Sequence, residues 1–541
     1  MSRLKKSATF SFASLLSGVL LWLSWPERGF TFLIFFSLTP LFFVEHYFSH
    51  FQKQLSAGKM FLHFFLTMLT WNVLTTWWIY NSTDVGSFVA MGLNSLFMAF
   101  IWQLFHLVKR KQGSAIGYIS LVLFWISFEY LHLNWEISWP WLTLGFAFAT
   151  KPQWIQWYEF TGPLGGTLWI LSTNIIFFQL AKNVLIKDLL KKIRTINTAI
   201  LTSIVALLIA VPMILSLVMY HHHHDKGIAS KVVLIQPNVD PYNEKFNGNS
   251  ADQLTRLLRL GASATDSSTE YMLGPETALA EGIWESNIDE DKSVQTIRKF
   301  LNAYPKLNLL VGLTSFQSYA EGEKRSLTAR KHSSGNGYYD VYNAAMMITQ
   351  AAPIQLYHKS RLVPGVEKMP YPQIFGFLEK FSLELGGTSG SLGTQEHRTN
   401  FRALDNTKIA PAICYESIYG GFMSGYIRDS AAFIAIITND GWWGNTPGYR
   451  QHMNYGRLLA VEFRKSVARS ANTGISCFIN QRGDIVEQTL WWEEEAISGT
   501  VYKNKHVTFY ASHGDYIGFI AAFLSVTLLL YLVLKRMILW F

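Results

Sequence analysis

Three side chains in this sequence could together move an acyl group: the carboxylate of Glu276, the amine of Lys359 and the thiol of Cys414. A thiol is mostly protonated at neutral pH, and the thiolate is what attacks. A carboxylate within reach takes the thiol proton as general base. A lysine ammonium eases formation of the thiolate and steadies the oxyanion of a tetrahedral intermediate. Thiol, base and cation make a full set for acyl transfer through a thioester. Each also has an ordinary reading. Cys414 reads as a small buried hydrophobe, Glu276 as a neighbour of a helix N-cap, and Lys359 as a surface residue of a basic loop. Against those readings stands the order Glu, Lys, Cys, with each residue at the end of a short apolar run.

Those runs must hold the three groups in place. Lys408-Ile409-Ala410-Pro411-Ala412-Ile413 reads as a buried strand that delivers Cys414, and Ser417-Ile418-Tyr419-Gly420-Gly421 as a turn that opens space for a substrate. Tyr271-Met272-Leu273 is a short strand ending at Gly274-Pro275-Glu276. Further strands are expected at 232–237, 309–313, 344–348, 433–437 and 476–479, with helices at 251–263, 292–302 and 449–466. Apolar runs this short, bounded by turns and interleaved with helices, predict buried strands in an α/β sandwich. The sequence has no internal repeat, Walker loop, GxGxxG turn or HExxH motif.

Composition sets the surroundings. Of 541 residues, 50% are hydrophobic and only 15% charged, with 19 Trp and 39 Phe, which points to a membrane. The apolar residues concentrate in the first 220 and the last 30 positions, while the middle has soluble composition. Eight spans are predicted, at 8–25, 30–48, 61–80, 86–108, 114–131, 162–181, 197–220 and 516–534. Each is near the ~20 residues that cross a hydrocarbon core. The first follows Arg3, Lys5 and Lys6 like a signal peptide, but no small-residue cleavage site follows, so it reads as a retained helix. The expected domains are therefore a membrane domain at 1–220, a catalytic domain at 221–508, and an eighth span with its tail at 509–541.

Charge placement orients the chain. With the N-terminus cytoplasmic, the same side collects Lys53, Lys59, Lys109, Arg110, Lys111, Lys182, Lys187, Lys191, Lys192, Arg194, Lys535 and Arg536. The opposite loops hold only Arg28 and Lys151, so the large domain is expected outside the cytoplasm. This placement accounts for much of the net charge of +9 without a nucleic-acid partner. The two cysteines, Cys414 and Cys477, form no disulfide framework and match no metal spacing; Cys477 reads as core. Four histidines at 221–224 read as an interfacial linker, so neither metal nor cofactor is expected. Tryptophans at 135, 139 and 141 suit a membrane–water interface. Glu129, inside the fifth span, must be either paired within the bundle or functional.

The chain carries Gln236-Pro237-Asn238, Pro275-Glu276-Thr277-Ala278, Tyr342-Asn343, Lys359-x-Arg361-Leu362-Val363-Pro364, Ile413-Cys414-Tyr415-Glu416 and Thr438-Asn439-Asp440-Gly441-Trp442-Trp443-Gly444. With this set at these separations it resembles the nitrilase, or carbon–nitrogen hydrolase, superfamily, and within it the apolipoprotein N-acyltransferase family. The resemblance covers nearly the whole chain. It implies seven spans, an α-β-β-α sandwich and one closing span. It also implies Glu276 as base, Lys359 as oxyanion stabiliser and Cys414 as nucleophile. Glu367 matches the family's additional carboxylate, Tyr415 and Glu416 match positions flanking the nucleophile, and Asn343 matches a supporting polar residue. Two departures stand out. Pro364-Gly365-Val366-Glu367 replaces the frequent Pro-Phe-Gly-Glu, and Phe246 replaces the tryptophan common after Lys245.

The implied activity takes an acyl chain from a membrane phospholipid onto Cys414. It then passes that chain to the α-amine of a diacylglyceryl-cysteine at a lipoprotein's N-terminus. The implied setting is the bacterial inner membrane, with the catalytic domain periplasmic; separately from the resemblance, the chain is expected to act as a monomer. Phe246, Phe375 and Phe377 are expected lipid contacts. Residues 369–378 read as a lid or lipid-dipping arm, or else as a core-packing loop. The main alternative is a membrane-anchored amidase with the same triad and a small substrate, for which eight spans exceed what a tether needs. A transporter with a degenerate sandwich would have no use for an intact triad.

Overall fold

The computed structural model describes residues 3–51, 55–185, 197–333, 335, 337–375 and 390–538. The chain divides into two compact units, one of residues 1–77, 87–222 and 515–541, the other of residues 78–86 and 223–514.

The first unit is helical: α1 (Arg3–Ser24), α2 (Thr39–His50), α3 (Ala57–Thr76), α4 (Asp84–Gln112, which begins in the second unit), α5 (Ser114–His132), α6 (Tyr158–Leu185), α7 (Thr198–His222), and a closing helix, Tyr516–Ile538. Among the described residues, seven segments are long and apolar enough to cross a membrane. The predicted third span, α3, is a 20-residue helix outside that set, with His63, Asn72 and several threonines along it. The predicted second span is not one helix. A 3₁₀ segment, Thr31–Phe35, precedes α2, whose first turn holds Pro40, a residue with no N–H to donate. α6 starts four residues before the predicted span and breaks at Gly162, whose φ is 59°, ahead of Pro163.

Backbone amides and carbonyls in lipid must be satisfied within the chain, which is why the unit is helical. The closing helix packs on α5, where Ser127 and Ser525 hydroxyls lie 2.8 Å apart. A Cβ on Gly518 would come within 2.6 Å of the Tyr130 ring, so glycine permits this close crossing. Glu129 is paired within the bundle. It accepts from Trp125 Nε1 at 2.8 Å, the Leu144 amide at 2.8 Å and Thr167 Oγ1 at 2.6 Å. Sequence reading did not single out Glu45, which is buried in α2 against Lys109 and His106 of α4.

The second unit is a sandwich of two sheets. Its strands are β1 (Ile228–Gln236), β2 (Thr269–Leu273), β3 (Leu279–Trp284), β4 (Asn308–Ser318), β5 (Arg330–Lys331), β6 (Tyr338–Ile348), β7 (Gln355–His358), β8 (Phe401–Arg402), β9 (Lys408–Ile413), β10 (Phe433–Thr438), β11 (Val467–Ala471), β12 (Cys477–Ile479), β13 (Ile485–Gln488) and β14 (Glu495–Lys503). One sheet runs β14-β1-β2-β4-β6-β5, with β3 on β4 and β7 on β6; the other runs β13-β12-β11-β10-β9-β8. β9, β10 and β11 are parallel, and β10 is buried along its whole length, as expected of a strand covered on both faces.

Helices α8 (Ser250–Ala264) and α9 (Lys292–Leu301) cover the first sheet. Leu254, Leu257, Val294 and Ile297 pack with Val233, Ile235, Met272 and Val311 in one core. Helices α10 (Pro372–Phe375), α11 (Gly420–Arg428), α12 (Pro447–Phe463) and α13 (Phe509–His513) complete the unit. Inner faces meet directly: Ser470 Oγ donates to the Ile235 carbonyl at 2.8 Å, and the Tyr271 and Phe433 rings lie 5.2 Å apart. The order helix, sheet, sheet, helix is the predicted α-β-β-α sandwich. Several boundaries differ from the predicted ones. α12 stops at Phe463 because Arg464 adopts φ 50°, so the predicted helix to 466 gives way to β11. β4 and β6 each extend to 11 residues, pairing antiparallel with Thr314 opposite Asn343.

Candidate active site

Each member of the predicted triad sits where a strand stops. β2 ends at Leu273 and the chain turns through Gly274 and Pro275 to Glu276. β7 ends at His358, directly before Lys359. β9 ends at Ile413, and Cys414 opens a 3₁₀ turn, Cys414–Ile418. Cys414 has φ 52° and Thr277, after Glu276, has φ 47°. Non-glycine residues in the left-handed region cost roughly 1–2 kcal/mol each and persist where their surroundings force them, commonly at functional sites.

The structure brings Glu276, Lys359, Glu367 and Asn343 into one buried cluster. Lys359 Nζ lies 3.1 Å from Glu276 Oε1 and 2.9 Å from Glu367 Oε1. Asn343 Nδ2 donates to the same two oxygens, at 2.7 and 2.9 Å. Glu367 is held in turn by the Val363 amide, which donates to Oε2 at 2.8 Å. The local Pro364-Gly365-Val366-Glu367 sequence therefore still delivers a carboxylate to the lysine.

Electrostatics links this cluster to the sulfur. Burial raises the Cys414 thiol well above its ordinary value, Glu276 adds to the rise, and Lys359 works against it. The resting group is thus a thiol. Burial pushes the Glu276 carboxyl upward, but Lys359, Asn343 and Lys245 outweigh it and leave it below its ordinary value. Burial pulls Lys359 down, and Glu276, Glu367 and Cys414 more than reverse that, so it stays an ammonium. A neutral thiol beside an ionised carboxylate and a fixed ammonium is the resting form that a base-activated nucleophile needs.

Glu416 and Tyr415 are also placed. Glu416 is fully buried, and its Oε1 accepts from Tyr357 Oη at 2.7 Å, the Ser360 amide at 2.7 Å and the Arg361 amide at 3.2 Å. Its Oε2 accepts from the Ile413 amide at 2.9 Å. One carboxylate thus ties the Cys414 turn to the Lys359 loop. Tyr415 is buried with its ring 5.3 Å from that of Tyr419. Of the expected lipid contacts, Phe246 is half-buried, with its ring stacked 6.4 Å from Trp442. Phe377 lies outside the described residues, and for Phe375 only the backbone is described.

Sequence reasoning missed a second buried network behind Cys414. Asp440 follows β10, accepts from Arg469 of β11, and lies 2.9 Å from His452 Nδ1 on α12. His452 Nε2 is 3.2 Å from the Cys414 carbonyl oxygen and 3.1 Å from Ser417 Oγ. Burial pushes Asp440 upward, but Arg469 and His452 hold it well below the usual carboxylate range. The signal available was a lone arginine inside the buried run 467–471 and an acid directly after a buried strand. Residues 78–86 support the same region. Asn81 Nδ2 donates to the Trp443 carbonyl at 2.8 Å, and the Trp78 and Trp443 rings lie 4.7 Å apart.

Among the described residues, one group could hold a metal ion: Cys414, Asp440 and His452, with ligand atoms within 4.8 Å of one another. Its acid is already committed to the Arg469 guanidinium and to His452. A cation therefore occupies the position where an ion would seek charge, and the donor set does not fit a metal.

A family model for the apolipoprotein N-acyltransferase N-terminal domain matches residues 17–176, and one for carbon–nitrogen hydrolase matches residues 231–505. The apolipoprotein N-acyltransferase of Chlorobaculum tepidum is 30% identical over 521 residues, covering 93% of each chain. That of Geobacter metallireducens is 27% identical over 519 residues, covering 93% of this chain and 91% of its own. The structure of Saccharomyces cerevisiae Nit3, a nitrilase-superfamily protein, aligns with a TM-score of 0.36 and 16% identity, over 51% of this chain and 90% of that one.

Proposed function

This chain belongs to the apolipoprotein N-acyltransferase family, and on that premise we propose that Cys414, Glu276 and Lys359 carry its acyl transfer. It is an acyltransferase of the bacterial inner membrane with a nitrilase-like catalytic domain. The acyl donor is a membrane phospholipid and the acceptor a diacylglyceryl-apolipoprotein. Cys414 gives its S–H proton to Glu276 as the sulfur attacks the ester carbonyl of the phospholipid. Lys359 offsets the oxyanion charge. Collapse of the tetrahedral intermediate breaks the ester C–O bond, and Glu276 returns the proton to the departing lysophospholipid oxygen.

The thioester then receives the α-amine of the acceptor cysteine. Glu276 takes the proton that the amine sheds and returns it to the sulfur as the C–S bond breaks, and an amide and the free thiol remain. Glu367 and Asn343 keep Lys359 and Glu276 in register, and Glu416 fixes the nucleophile turn against the lysine loop. Phe246, Phe375 and Phe377 contact the acyl chain. The catalytic domain, residues 221–508, faces the periplasm, a reading supported by lysine and arginine on one side of the predicted spans. The protein acts as a monomer without nucleic acid, metal or cofactor.

The observation that carries this reading is the buried contact of Lys359 with Glu276 beside a thiol that both groups bias. Purified protein incubated with phospholipid tests it. A covalent acyl group on Cys414, discharged by a diacylglyceryl-cysteine peptide, is expected. Discharge to water alone would favour an amidase-like hydrolase. Acylation that survives Cys414→Ser would reject the nucleophile.

A further inference from the structure

Lys245 belongs to no strand end and was noticed in the sequence only as the neighbour of Phe246. The structure buries it, and its ammonium points at the catalytic base. Nζ donates to the Glu276 carbonyl at 3.1 Å and to Thr277 Oγ1. The Asn439 side-chain oxygen, in the amide orientation that satisfies both its ends, lies 3.0 Å away. Gln253 Nε2 holds the Lys245 backbone carbonyl at 3.2 Å. A buried ammonium is costly unless an anion repays it. None of these direct partners is charged; the ionisable groups that favour its charged form are Glu276 and Cys414.

Counting charge shows what it is for. Lys359 is shared between two carboxylates, Glu276 and Glu367. One ammonium against two carboxylates leaves the pocket negative before the thiol ionises. Moving the Cys414 proton to Glu276 conserves that charge, so the thiolate would form inside an already anionic cluster. Lys245 brings the pocket to neutrality.

We propose that Lys245 is a second cation of the acyl-transfer site, a positioning residue that anchors the Glu276 turn and supplies the positive charge that lets Cys414 become a thiolate. The proposal rests on the reading of Cys414 as nucleophile. Burial pulls the Lys245 ammonium down to about 8, while Glu276 and Cys414 push it back up. Its charge is therefore present at neutral pH and is lost as pH rises through that value.

The test is the pH dependence of Cys414 alkylation by iodoacetamide in the full-length enzyme, with the adduct located by peptide mass. In Lys245→Met, alkylation at pH 8 is expected to fall about tenfold, the effect of one pKa unit, with thermal unfolding followed alongside. A residue that merely fills space would change unfolding without slowing the thiol. A second variant reads the charge itself. Lys245→Arg does not titrate in this range, so acyl-enzyme formation should persist above pH 8, where the wild-type rate falls. Wild-type alkylation in Lys245→Met, or an alkaline limb in Lys245→Arg that superimposes on the wild type, overturns the proposal, and either variant decides alone. A normal Lys245→Met alkylation profile, alongside loss of acylation in a separate Cys414→Ser variant, defeats this inference and spares the proposed function.

Discussion

The Glu416 carboxylate accepts the Ser360 amide at 2.7 Å, so the turn that carries Cys414 and the loop that carries Lys359 share one buried anion. The same oxygen accepts Tyr357 Oη, and the other takes the Ile413 amide ahead of Cys414. Burial raises this carboxyl above its ordinary value, although Tyr357 and the Ile413 and Ser360 amides partly hold it down. Glu416→Gln substitutes an NH₂ for one acceptor and turns a donor toward donors. Leaving buried amides unsatisfied costs about 1–3 kcal/mol. Acyl-enzyme formation should fall by more than the loss of folded protein, measured by a burst assay beside thermal unfolding. Wild-type burst kinetics would show that the shared anion does not position the site.

Gly312 sits against the backbone of Glu276, the proposed base. Its amide donates to the Pro275 carbonyl at 3.0 Å, and a Cβ there would meet the Thr277 nitrogen at 2.5 Å and Glu276 Cα at 2.6 Å. Backbone atoms cannot swing aside as a flexible side chain can. Gly312→Ala should therefore displace Glu276 and destabilise the domain by about 1–3 kcal/mol, the usual scale of overpacking. Assayed at 20 °C, the folded fraction should still acylate at least tenfold more slowly than wild type. A variant that is less stable but equally fast per folded molecule would refute the placement of the base.

Asp440 tests the network behind the nucleophile. Removing one partner of a buried ion pair typically costs 3–5 kcal/mol, because the other charge stays buried. Asp440→Asn leaves Arg469 uncompensated and releases His452 from its anchor near the Cys414 carbonyl. A large drop in Tm is expected, together with slower acylation of whatever remains folded. An unchanged Tm would mean that Arg469 finds its charge partner elsewhere.

The pH dependence follows from two directions of shift. Glu276 is depressed in the folded protein, so its ionised form stabilises the fold above its unfolded value, near 4.5, and that contribution is lost as pH falls through the lower folded value. Lys359 is raised, so its contribution is complete below its unfolded value, near 10.5, and is lost only as pH rises beyond the folded value. The pair should thus remain ionic from about 4.5 to about 10.5. Thermal stability measured between pH 5 and pH 8 should show no step from this pair, whereas a step in that window abolished by Lys359→Met would contradict the assignment.

Much of this architecture was legible in the sequence, for reasons specific to particular segments. β1, β2, β9 and β10 each contain a buried apolar run that ends near turn residues, and those runs lie where the sequence predicts strands. β11 was not legible because Arg469 and Ser470 interrupt the apolar pattern, and their burial makes sense only with Asp440 and the Ile235 carbonyl in place. β14 pairs with β1 across more than 250 residues, a contact that no local window contains. The second span lies where the sequence predicts it, and the change from a 3₁₀ segment to α2 ahead of Pro40 leaves no mark in its apolar run. Lys245 was overlooked for a different reason. Nothing in its neighbourhood marks it as buried, and the role proposed for it depends on Glu276, 31 positions away.

The measurement that bears most directly on the whole account is the intact mass of the purified enzyme after brief exposure to phospholipid, followed by mapping of the modified residue. The account predicts one added acyl chain, joined to Cys414 by a bond that neutral hydroxylamine cleaves, and no such adduct in Glu276→Gln or Cys414→Ser. An acyl chain mapped to another residue, or steady acyl transfer by the Cys414→Ser protein, would contradict it.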